Sequence, residues 1–264
     1  MRAKFVRVGN VRRFEDAVAA LNGRTATEKQ IVVVAADPGF GKSRTLAWWT
    51  VKSNGVLLLA HRHMTPGHVL GDLLAELGKP VPHTRDKRWK TAIAELATRP
   101  RPIVVDEVED ALADSGEAVD ELRKLADMVE VPLVLVGKAA VPGQIAQHPQ
   151  IWRRVGAVCE FQPLDKVDVR DLLDELIGAH ADDDLVEPLL DSYHGRIDNT
   201  LHYGVGAIDA WAAAHPGEAP CAGAVGELPA ALDRPDRTAE LIAIGRRRNR
   251  WRPARPAAQT KEVA

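Results

Sequence analysis

The sequence predicts an α/β fold in which a parallel sheet is sandwiched between helices and followed by a small C-terminal helical lid. Five short apolar segments alternate with helix-like segments, the pattern of a parallel sheet covered on both faces. A glycine-containing loop joins the first apolar segment to a helical pattern. After Pro163 the strand-like segments stop, and only helical periodicity remains.

The predicted elements follow from apolar runs and their spacing. Short continuous apolar runs are typical of strands buried on both faces. They are predicted at 31–35, 55–60, 102–106, 131–136 and 157–161. Amphipathic spacing predicts helices at 11–22, 44–51, 67–77, 89–97 and 120–128, and in the lid at 167–177, 185–193 and 197–214.

The predicted domain organisation has three parts. Residues 1–165 form an α/β domain, residues 166–214 a helical lid, and residues 215–264 a linker with a basic tail. The linker is assigned from its Ala/Gly/Pro-rich composition. The arginines of the tail are Arg246, Arg247, Arg248, Arg250, Arg252 and Arg255.

Composition restricts the function classes. The 264 residues are 45% hydrophobic and 27% charged, which is ordinary globular composition. With a net charge of −2, attraction to nucleic acid has to come from local patches. Cys159 and Cys221 form neither a metal spacing nor a disulfide framework, so a reducing cytoplasm is predicted. We expect no membrane partner, because no apolar run is long enough to span a bilayer.

The loop after the first predicted strand has the chemistry of a phosphate-binding P-loop. Strand, glycine loop and helix occur in the required order, and the loop N–H groups with the helix N-terminus form an anion pocket. Lys42 would reach the β- and γ-phosphates, and Ser43 would hold Mg²⁺. The alternative is a glycine turn with a surface lysine. The predicted nucleotide-binding residues here are Asp37, Pro38, Gly39, Phe40, Gly41, Lys42, Ser43 and Arg44.

A second set of functional residues follows the third predicted strand. Asp106 and Glu107 come directly after an apolar run, so they lie at the carboxyl edge of the sheet beside the P-loop. There Asp106 can hold Mg²⁺, and Glu107 can polarise the attacking water. The alternative is an acidic pair favoured by a helix N-terminus, the class to which Glu109 and Asp110 are assigned.

Together these motifs resemble the AAA+ ATPases. More narrowly, the chain is similar to the MuB-type target-DNA activators of Mu-like transposing phages, which are relatives of the TnsC transposition regulators. The similarity covers about residues 5–210. The matching segments are 8–11, 13–14, the P-loop with 44–46, 105–107, 132–137, 149–151, 154–155, Phe161, 163–165 and 195–197.

The resemblance implies a function. Members of that family are Mg²⁺-dependent ATPases that assemble on double-stranded DNA as ATP-bound helical filaments. They pass target DNA to a transposase, which they also stimulate. It therefore implies ATP and Mg²⁺ as cofactors, and DNA, further copies of the chain and a transposase as partners, in the cytoplasm of a bacterial host cell.

Several family roles map onto single residues. Arg154, next to Arg153, fits the position of the arginine finger that acts on a neighbouring subunit's γ-phosphate; the alternative is a solvated helix end. In the lid, Asp198 stands where the family usually carries an arginine, which leaves Arg196 as the nearby cation for nucleotide. At the end of the fourth strand, Lys138 follows Gly137 where a small polar residue is usual.

Three basic patches are candidates for DNA contact, with a solvated surface as the alternative for each. The first is Arg62, which lies between two histidines in a loop that faces the central DNA in related assemblies. The second is the run that contains Arg85, Lys87, Arg88 and Lys90. The third is the arginine-rich tail.

Three functions therefore compete at this point. The first is an oligomerising, ATP-dependent DNA-binding regulator of transposition. The second is a P-loop kinase of a small substrate, against which the Asp-Glu pair and the helical lid argue. The third is a non-catalytic switch in which ATP binding alone drives partner docking; Asp198 and Lys138 keep it open.

Overall fold

The structure, a computed structural model, describes residues 5–22, 29–113, 115–177, 181 and 183–215. The arginine-rich tail, and the predicted linker from residue 216 onward, lie outside the described residues.

A parallel sheet of five strands forms the centre of the fold, as predicted. The strands are β1 (Ile31–Ala35), β2 (Val56–Leu59), β3 (Ile103–Asp106), β4 (Leu133–Gly137) and β5 (Val155–Glu160). Their order across the sheet is β2-β3-β4-β1-β5. Because all strands run in parallel, the loops that follow β1, β3 and β4 emerge at the same edge of the sheet.

Both faces of the sheet are buried, because successive side chains of each strand point to opposite sides and a separate core packs on each side. Ile31 and Val33 pack into one core, and Val32 and Val34 into the other. This explains why the strands read as continuous apolar runs rather than as alternating ones.

Helices cover the two faces of this sheet. The helices of the α/β part are α1 (Gly9–Asn22), α2 (Lys42–Lys52), α3 (Pro66–Glu76), α4 (Arg85–Thr98), α5 (Val108–Leu112), α6 (Glu117–Val129), α7 (Val141–Ala146) and α8 (Pro149–Trp152). The core on one face takes Leu70 of α3, Leu96 of α4 and Leu122 of α6. The core on the other face takes Phe14 of α1 and Leu46 of α2.

The predicted start of α4 at residue 89 is wrong by one turn. The helix begins at Arg85, because the Thr84 side chain accepts a hydrogen bond from the backbone N–H of Lys87 and caps the first turn. The polar run that we interpreted as a separate patch is therefore the first turn of this helix.

The lid is helical, as predicted, but one of its helices is interrupted. Its helices are α9 (Lys166–Ile177), α10 (Asp183–Tyr193), α11 (Ile197–Asn199) and α12 (Val205–Ala214). A π-helical turn, Thr200–Gly204, separates α11 from α12, where a single helix over 197–214 is predicted. None of the helices in the described ranges combines the length and the apolar character needed to cross a bilayer.

Candidate nucleotide site

The P-loop is built by two glycines with left-handed backbone between β1 and α2. Gly39 has φ 91° and Gly41 has φ 85°, a conformation that side chains with a Cβ rarely adopt. These two residues turn the chain so that α2 begins directly at Lys42. The N-terminus of α2 therefore lies at the carboxyl edge of the sheet, where it favours an anion.

Lys42 closes the loop on itself. Its Nζ donates to the carbonyl oxygens of Ala36 at 2.5 Å and of Asp37 at 3.0 Å. Burial lowers the pKa of Lys42, while the carboxylates of Asp106, Glu109 and Asp37 act in the opposite direction. The predicted phosphate-binding lysine thus lies among acidic side chains of the P-loop, of the end of β3 and of α5.

Ser43 and Asp106, the two residues predicted to hold Mg²⁺, contact each other at the carboxyl edge of the sheet. Ser43 Oγ donates to Asp106 Oδ2 at 3.3 Å, and Asp106 Oδ1 accepts from the backbone N–H of Glu107 at 2.9 Å. Burial raises the pKa of Asp106. A hydroxyl and a carboxylate are oxygen ligands of the kind that Mg²⁺ takes, so the residues present fit that ion.

Glu107 lies beside this pair in a left-handed conformation, with φ 56°, immediately before α5. Such backbone is rare outside glycine and concentrates at functional sites. The pKa of Glu107 is raised, first by burial and then by the neighbouring carboxylates of Asp106, Asp110 and Glu109. A carboxylate with a raised pKa is a stronger base when it is ionised.

The lid contacts the P-loop through the segment that contains Arg196. The backbone N–H of Asp198 donates to the carbonyl of Gly39 at 3.3 Å, and Arg196 Nε lies 3.8 Å from Asp198 Oδ1. A Cβ placed on Gly39 would lie 2.7 Å from Asp198 Oδ1 and 2.8 Å from Arg196 Nε. Glycine at 39 is therefore required by the lid as well as by the turn.

An apolar pocket adjoins the P-loop and was not predicted. The N-terminal segment, the P-loop, the start of α2 and the lid all contribute to it; its lining includes Val8, Val11, Phe40, Arg44, Ile197 and Leu201. In the sequence, segment 8–11 is distinguished only by the family resemblance. Its position in the pocket wall depends on contacts with residues that are distant in the chain, which a local pattern does not show.

A buried polar side chain holds the walls of this pocket together. The Asn10 amide donates to the carbonyl of Gln162 at 2.8 Å and accepts from its N–H at 2.9 Å. It also lies 3.5 Å from the carbonyl of Phe40. The next residue back, Gly9, donates its N–H to the buried carboxylate of Asp168 in the lid at 2.5 Å. The N-terminus, P-loop and lid are thus tied at one point.

Arg154 lies at the opposite edge of the sheet from the P-loop. Its carbonyl accepts the N–H of Ile31, at the start of β1, whereas the P-loop leaves the end of β1. Five residues of strand span about 16 Å. Arg154 Nε contacts Asp127 Oδ2 of α6 at 3.1 Å, and the neighbouring Arg153 is exposed.

The residues predicted to contact DNA have different surroundings. Arg85 donates twice to Glu121, at 3.1 and 2.7 Å. Arg88 donates to the carbonyls of Pro82 and Gly67, and Lys90 pairs with Asp86. The side chain of Arg62 is 77% exposed and lies 3.8 Å from Asp110. Lys87 is exposed.

Comparison with known proteins agrees with this geometry. Residues 24–144, which contain the P-loop and the acidic strand end, match the AAA domain family. The fold is that of the AAA+ ATPases. At the level of sequence, no curated protein matches the chain.

Three solved structures are similar to the chain. They are the Walker-type ATPase of Pyrococcus abyssi (TM-score 0.57, 15% identity, covering 94% of this chain and 77% of that one), the Aeropyrum pernix Orc1 protein in complex with DNA (0.54, 19%, 91% and 69%) and Cdc6p from Pyrobaculum aerophilum (0.50, 15%, 76% and 62%). At these identities the similarity concerns the fold. The chain spans less than two thirds of the length of the Pyrobaculum protein.

Proposed function

We propose that the protein binds ATP with Mg²⁺ and hydrolyses it to ADP and phosphate. The observation that carries this proposal is the convergence of Lys42, Ser43, Asp106 and Glu107 at one edge of the sheet, within the part that matches the AAA domain family. The start of α2 and the end of β3 there bring together a cation for the phosphates, two oxygen ligands for Mg²⁺ and a general base.

Each residue has a distinct task in this proposal. Lys42 and the N–H groups at the start of α2 bind the β- and γ-phosphates. Ser43 and Asp106 hold Mg²⁺, which when bound neutralises charge on the phosphates. Glu107 accepts hydrogen bonding from the attacking water and polarises it. The apolar pocket beside Phe40 takes the base of the nucleotide, because it adjoins the loop that takes the phosphates.

We further propose that this ATPase is a DNA-binding regulator of transposition that oligomerises on its target, with a transposase as partner. The resemblance to the MuB-type activators supports this, and so does the fold shared with an Orc1 protein solved in complex with DNA. In this proposal Arg154 acts between protomers: it lies at the far edge of the sheet from the P-loop of its own protomer, so a role as arginine finger requires a second protomer.

The test is the rate of ATP hydrolysis by the full chain, with and without duplex DNA. We expect turnover that requires Mg²⁺ and rises when DNA is added. Transfer of phosphate to a metabolite would instead indicate the kinase. Tight ATP binding without turnover would indicate the non-catalytic switch, which the Asp198–Arg196 pair over the P-loop favours.

A further inference from the structure

Strand β5 leaves one edge of the sheet open. It is the last strand in the order across the sheet, and no strand of the described ranges pairs with its outer side. The N–H of Phe161 donates to the carbonyl of Ala35 in β1 at 2.9 Å. Since the main-chain groups of successive strand residues point to alternate sides, those of Val158 and Glu160 face away from β1. These hydrogen-bonding groups are available to another strand.

Apolar side chains lie beside this open edge. Val158 is 42% exposed, and Trp152, from α8, is 40% exposed. Both line a cavity of about 300 Å³, to which Lys29, Arg153 and residues 155–157 also contribute. An open strand with exposed apolar side chains is the feature by which one sheet pairs with the sheet of another chain.

The charges at the two ends of β5 have opposite signs. Lys29 and Arg153 lie at the amino end, and neither has an ion pair in the part of the chain that the structure describes. Lys29 is beside Gly156, because a Cβ placed on that glycine would lie 2.8 Å from the Lys29 carbonyl oxygen. Glu160, the last residue of β5, is exposed at the other end. The edge is therefore positive near Gly156 and negative at Glu160.

Such an edge is complementary to itself when two copies meet antiparallel. A two-fold axis brings the same surface of both copies together. With the axis at Val158, Glu160 of each copy lies opposite Gly156 of the other, because both residues are two positions from the axis. The Glu160 carboxylate then reaches the cavity that carries Lys29 and Arg153. A parallel arrangement would instead bring like charges together.

We propose that two copies of the chain pair antiparallel through β5, with Glu160 of each copy in the cavity of the other. The contact joins two five-stranded sheets into one continuous sheet. It goes beyond the function proposed above and is separate from the assembly described there, because it involves neither the nucleotide nor Arg154. Its test therefore does not depend on ATP hydrolysis.

The experiment measures the mass of the full chain by sedimentation equilibrium, over a concentration series and without nucleotide. We expect a monomer–dimer equilibrium. Glu160→Lys should raise the dissociation constant of the dimer about tenfold or more, because like charges then meet twice across the axis. The double variant Lys29→Glu/Arg153→Glu should do the same for the same reason.

An equal mixture of these two charge variants tests the antiparallel register. One variant is positive at both ends of β5 and the other is negative at both ends, so a mixed pair has opposite charges at both contacts. The mixture should therefore regain a dimer, of one copy of each variant, with an affinity near that of the parent. Lys87→Glu is the matched control, because it reverses the charge of an exposed lysine on α4. It should dimerise as the parent does.

Val158→Pro tests the main-chain contact. Proline removes an N–H that faces the second copy and none that faces β1, a position at which an edge strand tolerates it. This variant should dimerise less, with a Tm close to that of the parent. The charge variants leave the backbone of β5 unchanged, so they decide the case if Val158→Pro does not fold.

Two kinds of result would overturn the proposal. A parental chain that is monomeric at every concentration would assign the open edge to a different protein. Charge variants that dimerise as the parent does, or a mixture that stays monomeric while both proteins are folded, would show that β5 does not pair antiparallel about Val158.

Discussion

Replacing Arg154 with alanine tests whether the nucleotide site is completed by a second protomer. The side chain is 31% exposed and contacts Asp127, which also accepts from Arg123 at 2.7 Å. In one protomer it is separated from the P-loop by the length of β1. Any effect of Arg154→Ala on hydrolysis must therefore act on a neighbour or through stability.

The two effects differ greatly in magnitude. The pair with Asp127 is partly exposed, and its loss should cost about 1 kcal/mol, the upper end for such ion pairs. For a domain of this size that lowers Tm by about 2–4 °C and leaves the protein folded at 25 °C. Loss of an arginine finger lowers turnover by about 10³–10⁵. A loss of about 1 kcal/mol in stability cannot account for a decrease in turnover of that size.

The assay compares turnover, ATP affinity and Tm for the parental chain and the variant. Arg154→Ala should keep ATP affinity and lose turnover. Mixing it with Lys42→Ala should restore activity at interfaces that pair an intact P-loop with an intact arginine, about a quarter of them in an equal mixture. Parental turnover per protomer should also rise with protein concentration.

Arg153→Ala is the matched control, because Arg153 is the adjacent arginine and is exposed. It should leave turnover close to that of the parent. If Arg153→Ala abolishes turnover and Arg154→Ala does not, the assignment of the finger is wrong by one residue. If neither variant loses activity, or if the mixture shows no complementation while both proteins are folded, the site is not shared between protomers.

Three further predictions concern the nucleotide site. Glu107→Gln should keep ATP binding and slow single-turnover hydrolysis by about 10²-fold or more, because an amide cannot act as a base; an unchanged rate would remove Glu107 from that role. Burial raises the pKa of Glu107, so protonation should remove the base at a pH above the ordinary pKa of glutamate. The hydrolysis rate of the parental protein should therefore begin to fall before the pH reaches that value. A rate that stays constant down to that pH would contradict the raised pKa. Gly39→Ala should weaken ATP binding for two reasons: the new Cβ would clash with Arg196 and Asp198, and alanine rarely adopts the positive φ of this position. Gly78→Ala is the control for a glycine of positive φ outside the nucleotide site: Gly78 follows α3, has φ 69° and has open space around it, so its replacement should leave ATP affinity unchanged. Parental ATP affinity in Gly39→Ala would show that crowding by the lid is unimportant.

The sequence was a good guide to the parts of the site that are local in the chain. The P-loop and the Asp106-Glu107 pair each lie within a few residues of a buried strand. A short stretch of sequence therefore predicts both the strand and the functional residues that follow it. Periodicity could not find α5, α7 or α8, which have only four to six residues each.

Long-range contacts explain what the sequence did not show. Glu109 lies in the first turn of α5, as its assignment to a helix N-terminus predicted, but nothing in its neighbourhood shows that Gly137, 28 positions further on, leaves room for its carboxylate. The pocket wall at Val8 and the Asn10 contact to Gln162 depend on how the chain returns after β5. Glycine at the end of a buried strand was the one available signal for the first of these.

DNA binding gives a prediction that the structure makes more specific than the sequence could. Of the four basic residues in the first turns of α4, Arg85, Arg88 and Lys90 each have a partner within the protomer. Lys87 is exposed and has no side-chain hydrogen bond or ion pair within the described ranges, and the Arg62 side chain there has a long ion pair with Asp110, at 3.8 Å. Charges already satisfied inside the protein have less to gain from phosphate.

We therefore expect Lys87→Ala and Arg62→Ala each to weaken DNA binding uniformly across sequences and to reduce the salt slope by about one per bound protomer. Arg85→Ala should instead lower Tm, because it leaves the buried carboxylate of Glu121 unpaired. The control is Lys124→Ala, because Lys124 pairs with Asp120 on α6.

The measurement is binding to duplex DNA over a salt series, with ATP and without nucleotide. ATP should switch binding on, since the described part of one protomer offers few phosphate contacts and only an assembly multiplies them. Equal binding with and without ATP would refute the assembly switch. A parental chain that binds DNA in neither state would refute the DNA-binding function and leave the ATPase proposal to be judged on hydrolysis alone.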